Sequence, residues 1–111
     1  MTSEHEAAGQ VVVGIPARMG STRFPGKPLC SILGVAMVEH VWRRCLLSKA
    51  VSRVFVAVCD EQLKDWGDAV GAEVVMTNPE IERPGLRVAE AVSILRIPDD
   101  DIVAIVALYR P

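Results

Sequence analysis

The sequence has few aromatic residues, few cysteines and no marked excess of charge of either sign. Aromatic residues make up 5% of the 111 residues, and the net charge of −2 excludes a general electrostatic field for nucleic acid or a membrane surface. The three cysteines are widely spaced and form no Cys-x-x-Cys pair, so we expect free thiols in the core of a cytoplasmic protein. No apolar run reaches the roughly 18 residues of a membrane span.

The two ends of this short chain differ in character. Residues 1–9 are polar and aperiodic, which predicts a disordered tail without an apolar signal core. Residues 10–111 contain the apolar runs and are long enough for one domain at most. We therefore expect a single folded unit over 10–111.

The most informative stretch is the loop from Ile15 to Leu29. It follows the apolar run 10–15, which is typical of a buried parallel strand, and so leaves the strand end where open α/β sheets bind ligands. Three cations and two glycines fall within it: Arg18, Arg23, Lys27, Gly20 and Gly26. Converging cations, with glycines that let backbone N–H groups approach an anion, predict a polyphosphate site. The alternative is a surface loop stiffened by its prolines, with solvated cations.

Two common phosphate-binding motifs are excluded by counting. Five residues separate Gly20 from Gly26 where a P-loop has four, and Pro28 stands where a Ser or Thr would follow the lysine. A Gly-x-Gly-x-x-Gly fingerprint is also absent after the strand. The loop is therefore neither a Walker A motif nor a dinucleotide fingerprint.

The rest of the chain alternates helical and extended patterns. Helices are expected at about 36–48, 61–70 and 85–95, and strands at 53–58, 73–76 and 102–107. Asp60 and Glu61 are expected to cap the second helix and Gly71 to end it. The third helix should bury Leu86, Ala89, Val92 and Leu95. This alternation predicts a parallel sheet with right-handed crossovers.

Metal-binding patterns are weak. His40 has no second histidine near it outside the tail, and the carboxylates of the turn Asp99–Asp101 diverge because they are consecutive. We assign no metal ligand from the sequence.

The loop resembles the opening signature of the sugar-activating cytidylyltransferases, most closely the 3-deoxy-manno-octulosonate (Kdo) cytidylyltransferases, in its run Pro16-Ala17-Arg18-x-x-Ser21-Thr22-Arg23-x-Pro25-Gly26-Lys27-Pro28-Leu29. Weaker similarity continues through 32–41, 56–61 and 87–90. The resemblance implies a three-layer, Rossmann-like nucleotidyltransferase domain of the GT-A-like kind, of which this chain holds the N-terminal half.

The resemblance also implies a reaction and its residues. The anomeric hydroxyl of an acidic sugar, Kdo, would attack the α-phosphorus of CTP and release pyrophosphate, with Mg²⁺ as cofactor, in lipopolysaccharide precursor synthesis. Arg18 and Lys27 match triphosphate contacts with a catalytic role. The implied nucleotide-binding residues are Pro16, Ala17, Arg18, Ser21, Arg23, Gly26, Lys27 and Arg87.

The sequence departs from the family pattern near its end. Tyr109 stands where the resemblance places a metal-binding aspartate, and Ala107 stands where it places a glutamine near the base. We therefore expect no turnover from this short chain. Three explanations of its length stay open: a truncation, an altered reading frame and an authentically short protein. Two alternatives stay open, a non-catalytic nucleotide-binding module and an enzyme for another acidic sugar such as a sialic acid. The apolar last strand should lack a neighbour, which predicts a homo-oligomer.

Overall fold

The computed structural model describes residues 9–20 and 26–108. The strands are β1 (Val11–Pro16), β2 (Ser31–Ile32), β3 (Val35–Ala36), β4 (Val51–Val58), β5 (Glu73–Met76) and β6 (Ile102–Ile105). The helices are α1 (Met37–Leu46), α2 (Glu61–Val70) and α3 (Pro84–Leu95), with a 3₁₀ turn at Lys27–Leu29. The predicted tail, residues 1–9, lies outside the described residues except for Gly9.

Four strands form one parallel sheet in the order β5-β4-β1-β6. β1 is central, pairing with β4 from Val11 to Pro16 and with β6 from Val11 to Gly14. β2 and β3 form a separate antiparallel hairpin. The predicted parallel sheet is confirmed, and the loop after β1 leaves the carboxyl edge of its centre.

The side chains of the sheet alternate between two cores. One face buries Val13, Ile15, Val54 and Val56 against Val38 and Trp42 of α1 and Leu63 of α2. The other face buries Val12, Phe55, Ala57 and Val75 against Val88 and Ala91 of α3. The buried strand residues alternate between the two helix layers because successive side chains of a strand point to opposite faces of the sheet. The predicted three-layer α/β arrangement is thus confirmed.

Gly14 allows α3 to lie close to the middle of β1. A Cβ atom at this position would lie 2.8 Å from both Phe55 Cζ and Val88 Cγ1. Phe55 and Val88 are fully buried, so neither can move aside without cost. The missing side chain of Gly14 therefore makes room for the phenyl ring against which α3 packs.

The burial pattern of α3 differs from the prediction. Leu86 is 59% exposed, and Ala89 also faces solvent, whereas Arg87, Val88 and Ala91 are the buried residues. Val92 and Leu95 pack against the core as predicted. The apolar stripe was placed one residue off at the start of the helix, because a buried arginine stands where sequence patterns favour an apolar residue.

Three smaller predictions were also wrong in part. Asp60 holds the N-cap position of α2, but its side chain makes no capping hydrogen bond. The three cysteines are free, as predicted, but each is half-buried. α1 ends at Leu46 and β6 at Ile105, two residues earlier than expected in each case. Gly71 ends α2 with a φ of 81°, as predicted.

Candidate functional site

A cleft of about 220 Å³ opens at the carboxyl edge of the sheet, and we call it the carboxyl-end cleft. Its walls come from the loop after β1, the start of α3 and the residues that follow β6. They include Pro16, Ala17, Arg18, Lys27, Glu82, Arg87 and Ala107. The volume is below the roughly 300–1,000 Å³ of typical small-molecule pockets, so the described residues enclose part of such a ligand.

Five of the eight predicted nucleotide-binding residues line this cleft together: Pro16, Ala17, Arg18, Lys27 and Arg87. Gly26 does not line it. Ser21 and Arg23 lie outside the described residues. The fold therefore brings Arg87 together with residues that precede it by 60 or more positions in the chain, and the roles of these residues toward a nucleotide stay predictions.

The two sides of the loop after β1 are joined at Met19. The Met19 carbonyl accepts a hydrogen bond from the Gly26 N–H at 2.9 Å. Gly26 has a φ of 77°, a left-handed conformation that favours glycine. The Gly26 N–H thus has its partner within the loop, and the nucleotide-binding role of Gly26 stays a prediction.

Lys27 begins the 3₁₀ turn that follows Gly26. Pro28 is the next residue of the turn and is buried, which anchors the turn against the fold. The Cys30 N–H donates to the Lys27 carbonyl at 3.0 Å and so closes the turn. A short, internally bonded turn thus carries Lys27 to the wall of the cleft.

Asp60 connects the loop after β1 to the neighbouring strand. Its Oδ2 accepts a hydrogen bond from the Met19 N–H at 2.8 Å. The Cys59 thiol points to the same oxygen, with 3.7 Å between Sγ and Oδ2. The carboxylate therefore holds the loop rather than capping its own helix.

Arg87 is the charged residue buried most deeply among those described, with 2% of its surface exposed. Its Nη1 donates to Thr77 Oγ1 at 2.7 Å and to the Asn78 carbonyl at 3.4 Å, and its Nη2 donates to the Ile81 carbonyl. Within residues 9–20 and 26–108, the ion pairs found do not include Arg87. Burial of a charge is costly unless it is compensated, so this guanidinium is suited to an anionic ligand.

Both arginines of the cleft affect the pKa of the Cys59 thiol. Burial raises the pKa of Cys59, and the neighbouring Asp60 carboxylate acts in the same direction. The positive charges of Arg87 and Arg18 oppose this rise in the pKa. Arg18, from the loop after β1, and Arg87, from α3, therefore both act on the Cys59 thiol at the carboxyl edge.

Acidic groups are sparse in the part of the cleft that the structure describes. Glu82 supplies the one carboxylate among the lining residues. No group of three or more His, Cys, Asp or Glu side chains suited to a metal ion occurs among the described residues. Tyr109, at the expected metal position, lies outside them, while Ala107 lines the cleft.

Sequence reasoning missed three residues of the site, namely Asp60, Thr77 and Glu82. Asp60 was read as a helix cap, which is the commoner role for an aspartate before a helix. Thr77 and Glu82 lie in the loop after β5, where hydrophobic periodicity carries no signal. A hint was available for Thr77, since a hydroxyl directly after a buried strand lies at the same sheet edge as the loop after β1.

Comparisons with known proteins identify related sequences and structures. The family described as cytidylyltransferase matches residues 12–109. The 8-amino-3,8-dideoxy-manno-octulosonate cytidylyltransferase of Shewanella sp. (strain W3-18-1) is 44% identical over 93 residues, which cover 84% of this chain and 38% of that protein. The protein of the same name from Shewanella frigidimarina is 43% identical over 94 residues, which cover 85% and 38%. The chain thus spans less than half the length of these curated relatives.

Two solved structures share the fold. A CMP:2-keto-3-deoxy-manno-octonic acid synthetase complexed with CTP superposes with a TM-score of 0.82 at 34% identity, over 90% of this chain and 40% of the other. A cytidylyltransferase from Leptospira borgpetersenii serovar Hardjo-bovis superposes with a TM-score of 0.74 at 24% identity, over 90% and 42%. The second likeness supports the fold alone.

No helix among the described residues is long and apolar enough to cross a membrane.

Proposed function

The chain belongs to the cytidylyltransferase family, and we propose that it forms the nucleotide-binding part of an enzyme that transfers CMP from CTP to an acidic sugar. The observation that carries this proposal is the convergence of Arg18, Lys27 and Arg87 on the carboxyl-end cleft. Three cations stand there against the single carboxylate of Glu82. Such a balance favours a polyanionic ligand.

The proposed chemistry is attack by a sugar hydroxyl on the α-phosphorus of CTP, with pyrophosphate as the leaving group. Negative charge builds up on the departing phosphates, and fixed cations stabilise it without reorganisation. Arg18 and Lys27 are the proposed catalytic residues in this sense. Arg18 lies between Ala17 and Met19, whose N–H groups are hydrogen-bonded, and the Lys27 carbonyl accepts the bond that closes the 3₁₀ turn, which favours catalysis by positioning.

The identity of the sugar rests on similarity to other proteins. The curated relatives above are named for a manno-octulosonate sugar, and the CTP-bound neighbour is named for a related one. We propose the same class of acidic sugar here, for lipopolysaccharide precursors. A cytoplasmic location belongs to the proposal and is supported by three free cysteines.

Magnesium fits the described residues poorly. Mg²⁺ is usually held by one or two carboxylates together with substrate phosphates and water. The described part of the cleft offers Glu82 alone, and no acidic cluster lies near it. We retain Mg²⁺ in the proposal as an ion that accompanies the CTP phosphates and assign it no step on this chain.

A non-catalytic nucleotide-binding module is the second candidate. Ala107 lines the cleft where the resemblance places a glutamine, and an alanine side chain offers no hydrogen bond to a base. Such a module would keep the cations that bind the phosphates but would have fewer contacts to the cytosine base and to a metal ion. This candidate requires CTP binding without turnover.

Calorimetric titration of the 111-residue chain with CTP, with and without Mg²⁺, tests the nucleotide site. We expect CTP binding in both conditions, and the absence of heat in either would contradict the proposal. A second assay with radiolabelled CTP, Kdo and Mg²⁺ tests turnover. We expect no CMP-sugar from this chain alone and product from a version extended to the length of the curated relatives.

A further inference from the structure

The hydrogen-bond ladder between β1 and β4 continues beyond both strands. Ala17 N–H donates to the Ala57 carbonyl at 2.9 Å, one residue past the end of β1. The following donor in register, Met19 N–H, bonds to the side-chain Oδ2 of Asp60 at 2.8 Å. A carboxylate oxygen therefore takes the place of a backbone acceptor where β4 gives way to α2.

This contact is made instead of a helix cap. Asp60 occupies the N-cap position of α2 with an extended φ of −123° and ψ of 137°, which suits a capping aspartate. Its side chain nevertheless makes no capping hydrogen bond. α2 therefore lacks a side-chain capping hydrogen bond, and the loop after β1 has a charge-assisted hydrogen bond to the Asp60 carboxylate.

Arg18 and Lys27 lie directly beside the bonded residues. Arg18 precedes Met19, whose N–H is held by Asp60. Lys27 follows Gly26, whose N–H is held by the Met19 carbonyl. One carboxylate thus fixes the residue through which both sides of the loop are connected.

We infer that Asp60 is a positioning residue, which holds Met19 so that Arg18 and Lys27 face the nucleotide phosphates in the carboxyl-end cleft. The inference rests on the proposed function for the identity of the ligand. Asp60 does not line the cleft, and its negative charge would repel phosphates if it did. Its effect on binding therefore passes through the loop.

Three substitutions separate positioning from helix capping and from charge. Asp60→Asn keeps an oxygen that can accept the Met19 N–H. Asp60→Ser can cap α2 but is too short to reach Met19, and Asp60→Ala can do neither. Asp65→Ser removes an exposed charge from the same helix and serves as the matched control.

We expect CTP affinity to fall about tenfold in both Asp60→Ser and Asp60→Ala, the order of magnitude for loss of one charge-assisted hydrogen bond. Asp60→Asn and Asp65→Ser should stay within about threefold of the unsubstituted chain. The melting temperature should be higher in Asp60→Ser than in Asp60→Ala, because serine caps the helix. Affinity and thermal stability would then change independently, which a purely structural role does not produce.

Amide hydrogen exchange at Met19 supplies a readout that needs no nucleotide. Protection of Met19 should be lost in Asp60→Ser and Asp60→Ala and kept in Asp60→Asn. Unchanged protection in Asp60→Ala overturns the inference, as does CTP binding by Asp60→Ser at full affinity. Equal weakening by Asp60→Asn and Asp60→Ala also overturns it, since charge rather than loop geometry would then be responsible. If the unsubstituted chain binds no CTP, the proposed function fails, while the exchange data still support or overturn Asp60 as the residue that holds the loop.

Discussion

Arg87 Nη1 donates a hydrogen bond to Thr77 Oγ1 at 2.7 Å, and Thr77 Oγ1 in turn donates to the Val58 carbonyl at the same distance. The hydroxyl proton of Thr77 is donated to the Val58 carbonyl of β4, so the hydroxyl oxygen can accept a hydrogen bond from the guanidinium. The buried cation of α3 is thereby tied to the end of β4 through one threonine. This arrangement fixes the guanidinium of Arg87, a residue of the cleft wall, with little freedom to turn.

Thr77→Val should weaken CTP binding and lower stability, because valine has the same shape but cannot accept the Arg87 hydrogen bond. Leaving a buried donor unpaired costs about 1–3 kcal/mol. Thr77→Ser, which keeps the hydroxyl, should retain most of the CTP affinity and most of the stability. Calorimetry with CTP and thermal unfolding measure them, and a Thr77→Val protein that matches the unsubstituted chain in both would refute the role of Thr77.

Lys27→Ala should weaken CTP binding by about 1.5–3 kcal/mol, the range for a hydrogen bond to a charged group. The affinity of the unsubstituted chain should also fall as salt is added, because exposed charges are screened. Arg44→Ala removes one exposed positive charge from α1 and should change CTP binding little. Arg43 is a poorer control, since it pairs with Glu39 at 2.7 Å and lies over Trp42. Equal losses in the Lys27 and Arg44 variants would indicate a general field rather than a specific loop.

Gly14→Ala should destabilise the fold by about 1–3 kcal/mol, the usual cost of overpacking a core. The new methyl group would lie 2.8 Å from Phe55 Cζ and from Val88 Cγ1. Gly85→Ala is the matched control, because among the described residues no heavy atom outside its chain neighbours and its own helix backbone lies within 4 Å of its Cβ position. Chemical unfolding measures the free energy of unfolding of the two variants. Equal values would show that β1 and α3 can move apart to accept the methyl group without cost.

The edge strand β6 should promote self-association of the 111-residue chain. Ile102 and Ile105 are 58% and 49% exposed, and β6 pairs with β1 alone among the described strands. An apolar strand with an open edge favours pairing with another chain. Light scattering should show a dimer or larger species, and the double substitution Ile102→Lys with Ile105→Lys should shift it to monomer. A monodisperse monomer of the unsubstituted chain at high concentration would contradict this.

The contact between α1 and α2 should weaken in acid. A hydrogen bond from Arg43 lowers the pKa of Glu39, and a second from the Trp66 indole at 3.2 Å acts in the same direction. A lowered carboxylate pKa contributes stability that is present above the unfolded value of about 4.5 and is lost as pH falls through the folded value. Glu39→Gln should therefore differ from the unsubstituted chain in melting temperature at pH 7, with the difference shrinking below pH 4.5. A pH-independent difference would exclude this linkage.

The loop after β1 shows how far the sequence alone could lead. The apolar run before it indicated a central strand, and its cations and glycines indicated an anion site at the carboxyl edge. The family assigned from its signature is confirmed by the match over residues 12–109. These inferences succeeded because strand burial and loop composition are local properties, written in consecutive residues.

Tertiary structure alone decided which partner each polar group found. Asp60 could cap α2 or hold Met19, and only the pairing of β4 with β1 brings the Met19 N–H within reach of its carboxylate. Arg87 stands where periodicity favours an apolar residue, and its burial depends on Thr77 and on the carbonyls of the loop after β5. The sequence determined the strands, the helices and the cation-rich loop, since these follow from short-range patterns. The assignment of donors to acceptors required the sheet order, because that order sets which strand ends lie side by side.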